Sequence, residues 1–393
     1  MKMKKILFVI SMFSLVRGAQ AQDIAEILSG VEQNNKELQV LRKSVEAQKL
    51  EISMQNNLED PSIEYSPFFS KTMNGVASSE LVVKQGFDFP TLYAARSKYG
   101  KSQNDVASLQ FQSSRRDVLL KAKQLCLDLV LLNQERRIIE LRRKNAEEML
   151  AAYEKRLEEG DANIIELNKV KMERMNMETE VVANETAQRD VLENISALNG
   201  NEPIDIDALS DYPADGADGD YNQLYERALV SELTLRTAQA DVRMSRQNVK
   251  LNKNNWLPKM ELGYRRNTEG TNASNGFLVG ASFPLFSNRN KLKSARVRLE
   301  ESELQYDNAR LQTESRLRSL IDQLKQTRKA AAVYDTDFLY GSLDLLRKAV
   351  DGGQMSVVEY YVEVDAIFKN LQTFLRLENK AHKLVADITR NDL

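Results

Sequence analysis

The sequence predicts a mostly α-helical chain with two β-hairpins, written as a tandem repeat of long coiled-coil helices. Three observations carry this. Heptad seams run far longer than globular helices need. Four short segments alternate apolar and polar residues. The order of features in the first half returns in the second.

The repeat is read first, because a missed repeat misassigns the whole fold. Residues 23–61 align without gaps on 220–258, so that Leu38 falls on Leu235, Val45 on Val242 and Pro61 on Pro258. Phe89-Pro90 then falls on Phe283-Pro284, and LEEGDANIIE around Gly160 falls on VDGGQMSVVE around Gly353. Residues 199–220, NGNEPIDIDALSDYPADGADGD, join the halves and read as a linker rich in Gly, Pro and Asp. The expected organisation is a leader at 1–21, a first repeat at 22–198, the linker, and a second repeat at 221–393. Each repeat holds a helix, two strands, a very long helix, a Gly turn and another long helix.

The long helices are the plainest local signal. From Phe111 a 4-3 spacing runs through Arg115, Val118, Ala122, Leu125, Leu129, Leu132, Arg136, Ile139, Arg143, Ala146, Leu150, Tyr153 and Leu157, mostly apolar. A second seam follows Gly160 through Leu167, Val170, Arg174, Met177, Val181, Asn184, Gln188, Val191, Ile195 and Leu198. A third follows Gly353 through Tyr360, Val364, Ile367, Leu371, Phe374, Glu378, Ala381, Val385 and Ile388. A 3.5-residue period sustained this long means coiled coil.

The strands are expected at 62–69, 79–89, 259–266 and 277–286, with polar loops at 70–78 and 267–276. Ile63, Tyr65 and Phe69 oppose Ser62, Glu64 and Ser66. Leu81, Val83, Phe87 and Phe89 oppose Glu80, Lys84, Gly86 and Asp88, and Met260, Leu262 and Tyr264 oppose Glu261, Gly263 and Arg265. Phe277, Val279, Ala281, Phe283 and Leu285 form the apolar face of the last strand. Period-2 alternation over about 8–11 residues suits strands that cross a membrane. Four strands cannot close a barrel, however, and lipid does not tolerate an open sheet edge. Either these are two soluble hairpins, or several copies share one barrel. Three copies would give twelve strands.

Composition excludes several classes. Lys2, Lys4 and Lys5 precede an apolar run from Ile6 to Val16 and the small-residue site Ala19-Gln20-Ala21, the pattern of a secretory signal peptide. No later stretch is apolar enough for a transmembrane helix. The full chain carries a net charge of −2. The leader holds four basic residues and no acid, so the mature chain is more acidic still, which argues against nucleic acid. One Cys (Cys126) and one His (His382) rule out an internal disulfide and a multi-Cys or His-rich metal site. No phosphate-binding G-x-x-x-x-G-K-[ST] loop occurs. No catalytic residue, cofactor or metal site is expected, and the Met172, Met175 and Met177 group reads as packing.

Signal peptide, duplication, hairpins and paired long helices turning at a Gly together resemble the TolC-type outer-membrane efflux proteins. The resemblance rests on RLEEGDANIIEL, AVDGGQMSVVEYYVEVDA, SFPLFSNRNKLKSARVRLEESELQY and NNWLPKMEL, and it spans the mature chain. It implies a homotrimeric channel-tunnel, with a shared 12-stranded barrel in the outer membrane and a long helical extension in the periplasm. It implies a passive exit duct, not an enzyme, joined through a periplasmic adaptor to an inner-membrane pump. The pump would set the cargo: drugs and other small molecules, metal ions or secreted polypeptides.

The resemblance also assigns residues. Gly160 and Gly353 would be turns at the periplasmic tip that receive the adaptor, with Ile164, Ile165, Val357 and Val358 packing them. Glu166, Glu359 and Glu363 would form an acidic ring at the mouth. Glu64, Glu80, Lys84, Asp88, Glu261 and Arg265 would face the lumen, and Trp256, Tyr264 and Phe283 would lie near strand ends. Val350 and Met355 occupy the positions where some relatives lock the mouth with a Tyr and an Arg, so that lock is absent here or built differently. The competing class is a periplasmic coiled-coil scaffold without a channel, which would have no use for four apolar-faced strands.

Overall fold

The computed structural model describes residues 24–71, 75–203, 209–214 and 220–393; the expected signal peptide lies outside them. In chain order the elements are α1 (Ile24–Asn34), α2 (Lys36–Met54), β1 (Ser62–Phe69), β2 (Val76–Phe87), α3 (Pro90–Glu159) and α4 (Ile164–Leu198). The second half follows with α5 (Tyr221–Ser231), α6 (Leu233–Asn254), β3 (Lys259–Glu269), β4 (Asn272–Ser282), α7 (Lys291–Ala331), α8 (Thr336–Asp351) and α9 (Val357–Ile388). The α3 rod is 70 residues long. Among the described residues no helix is long and apolar enough to cross a membrane.

Three helices expected to be continuous are broken, each at a residue that caps its successor. Asn35 ends α1 and caps α2, its side chain accepting from the Leu38 N–H. Glu232, at the same place in the second repeat, ends α5 and caps α6 through the Thr234 N–H. The third break is not repeated: Asp335 separates α7 from α8 and accepts from the Phe338 N–H at 2.9 Å. Short polar side chains favour such caps because they satisfy the orphan N–H groups of a new helix.

The chain forms two compact units that cut across the repeats. The first comprises the chain up to Asn34, Ala122–Ala214 and Ala331–His382. It is helical and holds both Gly turns. Its core joins Tyr153, Leu167, Val170, Val350, Val357, Tyr360, Tyr361, Val364, Phe368 and Leu371. Elsewhere in this unit Cys126 is buried, and His382 stacks on Tyr212 with ring centroids 4.3 Å apart.

The second unit comprises Asn35–Lys121, Asp215–Ala330 and Lys383–Leu393. Its four strands make one antiparallel sheet in the order β1-β2-β3-β4. The polar segment 267–276, expected as a loop, is mostly strand: Glu269 pairs with Asn272, leaving a two-residue turn at Gly270 and Thr271. The strands run past the end of their apolar band, where alternation no longer marks them. At the other end β4 stops at Ser282, ahead of Pro284, which has no N–H for a ladder.

Candidate functional site

The two Gly turns close in the same way. Gly160 (φ +83°) and Gly353 (φ +70°) adopt the left-handed backbone that Gly takes without strain. The Asp161 N–H bonds to the Arg156 carbonyl (2.8 Å) and the Gly160 N–H to that of Leu157 (3.2 Å). In the second turn Gln354 bonds to Ala349 (2.9 Å) and Gly353 to Val350 (3.1 Å). This is the paired pattern of a Schellman helix end. Three residues after each Gly a capping box opens the next helix. Asn163 accepts from the Glu166 N–H while Glu166 accepts from the Asn163 N–H (2.9 Å). Ser356 Oγ accepts from the Glu359 N–H (3.2 Å), and Glu359 Oε2 accepts from the Ser356 N–H (3.0 Å) and hydroxyl (2.9 Å). The sequence signal for these boxes is N-x-x-E and S-x-x-E, which the Gly and heptad patterns overshadow.

The acids at the turns are therefore helix caps first. Bonds from the Ser356 backbone, then its hydroxyl, hold the Glu359 carboxyl below the usual carboxylate range. Glu359 and Glu363 are exposed and Glu166 is half-buried. The expectation that four aliphatic residues pack the turns is corrected. Only Val357 is buried, while Ile164, Ile165 and Val358 are exposed. Val350 and Met355 pack into or against the core, where apolar side chains cannot supply a polar lock.

Polar ties that the sequence reading missed lie just behind the turns. Nearly buried Arg142 on α3 bonds to Glu173 on α4 (2.9 Å) and to Asp365 on α9 (2.7 Å), and its guanidinium lies over the Phe368 ring at 4.9 Å. Arg347 on α8 donates to Asn145 on α3 (2.7 Å), and Asn145 donates to the Tyr360 hydroxyl on α9 (2.7 Å). Isolated Arg and Asn residues within a heptad give no sequence sign of their distant partners.

The sheet sorts its faces with a few exceptions: Gln85 and Arg266 stand on the apolar side, and Val82 and Leu278 on the polar side. Ile63, Val83, Tyr264 and Phe277 stand opposite one another across all four strands, and Leu262 stands opposite Val279 beside them. Phe277 is 94% exposed and Ile63 72%. On the other face Lys84 pairs with Glu64 (3.1 Å) and Arg265 with Glu80 (2.7 Å). Asp88, expected on that face, instead follows the strand and is buried against Arg96 at 2.7 Å. Trp256 lies half-exposed just before β3, and Phe283 exposed just after β4. β1 and β4 each have one strand neighbour, so both edges are bare.

Residues 224–384 match the family described as outer membrane efflux protein. The structure resembles the outer membrane channel CmeC of Campylobacter jejuni at 13% identity and a TM-score of 0.74, covering 94% of this chain and 85% of that one. It resembles the outer membrane protein VceC of Vibrio cholerae (14%, 0.70, 94% and 95%) and the MtrE channel of Neisseria gonorrhoeae (12%, 0.74, 94% and 88%). This is the TolC-type outer-membrane efflux fold. In efflux proteins of this fold the barrel is formed by the trimer. The efflux family is one of channels rather than enzymes, and its members are trimeric and work with adaptor and pump partners. No curated protein matches the chain in sequence.

Proposed function

We propose that this protein is the passive outer-membrane exit duct of a tripartite efflux or secretion system. It acts as a homotrimer coupled through a periplasmic adaptor to an inner-membrane pump. The observation that carries this reading is the sheet. It has a bare apolar face, an ion-paired polar face and two open edges, an arrangement that is stable in lipid only when other copies close it. The apolar row then faces outer-membrane lipid, Glu64, Glu80, Lys84 and Arg265 face a wet lumen, and the helices extend into the periplasm.

In this reading Gly160 and Gly353 sit at the periplasmic tip, six turns per trimer. Exposed Ile164, Ile165 and Val358 are the contact points offered to the adaptor. Three copies of Glu359, with Glu363 one helical turn on, form a ring of like charge, a recognised selectivity device. Extraction of the mature protein from outer membranes tests the whole: a detergent-solubilised trimer supports the duct, whereas a water-soluble periplasmic species leaves only the scaffold. Glu359→Gln tests the ring, because Gln keeps the capping box while removing the charge. Cation selectivity in a planar bilayer should fall; an unchanged current–voltage curve removes the ring.

A further inference from the structure

Positive charge in the second unit gathers at one level, where β3 and β4 meet their helices. Residues 242–260, from α6 into β3, hold Arg243, Arg246, Lys250, Lys253 and Lys259 and no acid. Residues 270–299, from the β3–β4 turn into α7, hold Arg289, Lys291, Lys293, Arg296 and Arg298 and again no acid. The whole chain carries a net charge of −2, so this collar runs against its balance. Arg246 is paired with Glu303 (3.0 Å) and Lys259 with Glu59. Lys250, Lys253 and the cations after β4 are exposed, and among the described residues none of them has a carboxylate partner.

The internal repeat shows that the fold does not need this charge. With Phe89-Pro90 aligned on Phe283-Pro284, the counterparts of Arg289, Lys291, Lys293, Arg296 and Arg298 are Ala95, Ser97, Tyr99, Ser102 and Asn104, none of them charged. Those of Lys250 and Lys253 are Ser53 and Asn56. Both repeats build the same helix–strand–strand–helix passage, and only one of them is basic. Lys293 and Arg296 stand three residues apart on α7, a repulsive spacing for like charges. Unpaired cations that the fold does not require, held together against repulsion, point to a partner of opposite charge.

Two cavities meet at Lys291. The first, of 410 Å³, lies between α6 and α7, where Arg289, Lys291 and Arg298 join Asn248, Asn252 and Ser294 with no carboxylate among them. The second, of 740 Å³, is walled by Phe283, Leu285 and Phe286, and its one acid, Asp88, is already held by Arg96 (2.7 Å). Phe286 is 88% exposed, and Trp256 stands half-exposed just past the end of α6. Bare apolar side chains beside unpaired cations suit a ligand with an anionic head and an apolar body; a wet lumen would offer the apolar ones nothing. Resting on the shared-barrel reading above, we propose that the collar binds an anionic phospholipid of the leaflet that faces the periplasm. Its phosphate sits in the α6–α7 cleft and its chains run along Phe283, Leu285 and Phe286. The level agrees, because the bare apolar row through Phe277 and Val279 ends here and the helices begin.

Trp256 is the only tryptophan of the chain and reports on the site. The full mature protein is reconstituted in vesicles of phosphatidylethanolamine with a minor fraction of phosphatidylglycerol, one lipid or the other carrying brominated chains. At equal bromine content phosphatidylglycerol should quench Trp256 several-fold more strongly, and added salt should erode the difference. R289A/K291S/R298N, which installs the first repeat's residues, should abolish the preference, since each lost charge weakens lipid binding about five-fold at low salt. R289K/K291R/R298K should keep it. Equal quenching by the two lipids, or a preference that survives R289A/K291S/R298N, overturns the site and leaves the duct standing. An inserted trimer whose Trp256 no lipid quenches also overturns it, and a shift of the R289A/K291S/R298N channel toward cations would then place the collar in the lumen. Loss of the preference in inorganic phosphate, but not in chloride of equal ionic strength, means that the cleft takes the free anion rather than the lipid. A wild-type protein that forms no trimer removes the shared barrel and the collar's place in the membrane with it.

Discussion

The two repeats place a helix break at the same point and cap it with different chemistry. Asn35 is a neutral cap, accepting one backbone N–H from Leu38 (3.0 Å). Glu232 does the same for α6, but its fully buried carboxylate also takes Arg316 (2.6 Å), Arg390 (2.9 Å), Arg116 (3.3 Å) and Asn391 (3.3 Å). Burial would raise the Glu232 carboxyl, but Arg390 and then Arg316 hold it below its ordinary value. At Glu232 the duplicated local motif carries a tertiary role, tying α3, α6, α7 and the C-terminal segment together. The same lesson holds at the turns: the Gly and capping geometry is duplicated, yet Val357 is buried where its counterpart Ile164 is bare.

The largest expected effect breaks this comparison outright. Glu232→Ala leaves three guanidinium groups around an empty site and should cost about 3–5 kcal/mol, read as a large fall in thermal midpoint. Asn35→Ala, which removes a neutral cap, should cost about 1 kcal/mol. Equal losses would mean that the arginine cluster adds nothing. The pH dependence has a definite sign. A carboxyl with a lowered folded pKa stabilises above its unfolded value, and that stability is lost as pH falls through the folded one. Wild type should therefore shed the Glu232 contribution only in acid below the usual carboxylate range, while Glu232→Gln should show no such step.

The turns come next. Nothing lies within 4 Å of a Cβ built on Gly160 or Gly353, so Gly→Ala there meets only the left-handed backbone penalty, about 1–2 kcal/mol. Gly→Asn, which tolerates that conformation, should cost less at both turns; equal penalties for Ala and Asn would refute the backbone account. The smallest stability effect belongs to Glu359→Gln, expected within about 0.5 kcal/mol because the box survives. Its signature is selectivity rather than melting, which separates capping from charge.

Much of this architecture was legible because its signals are local or periodic. The heptads around Leu129 and Val364 announce rods, alternation at Ile63–Tyr65 and Met260–Tyr264 announces strands, and the duplicated Gly with an aliphatic pair and a Glu six residues on announces a turn. What escaped depends on partners far along the chain. No neighbour in sequence marks Asn35 or Glu232 as a break, since the heptad-like pattern runs through both. Arg142 looks like a solvated heptad cation until Glu173 and Asp365 are seen around it. Asp88 continues an alternating pattern after its strand has already ended.

The sequence by itself determined the periods, the turns and the duplication, because these follow from backbone sterics and from which side of a helix or strand is apolar. Only the tertiary structure decided which apolar stripes are covered within one chain. Thr237, Ala240 and Met244 on α6 and Val40, Lys43 and Ala47 on α2 occupy matching helical positions, yet one face is packed and the other bare. Burial is a property of what lies opposite, and the sequence of one helix does not say what that is.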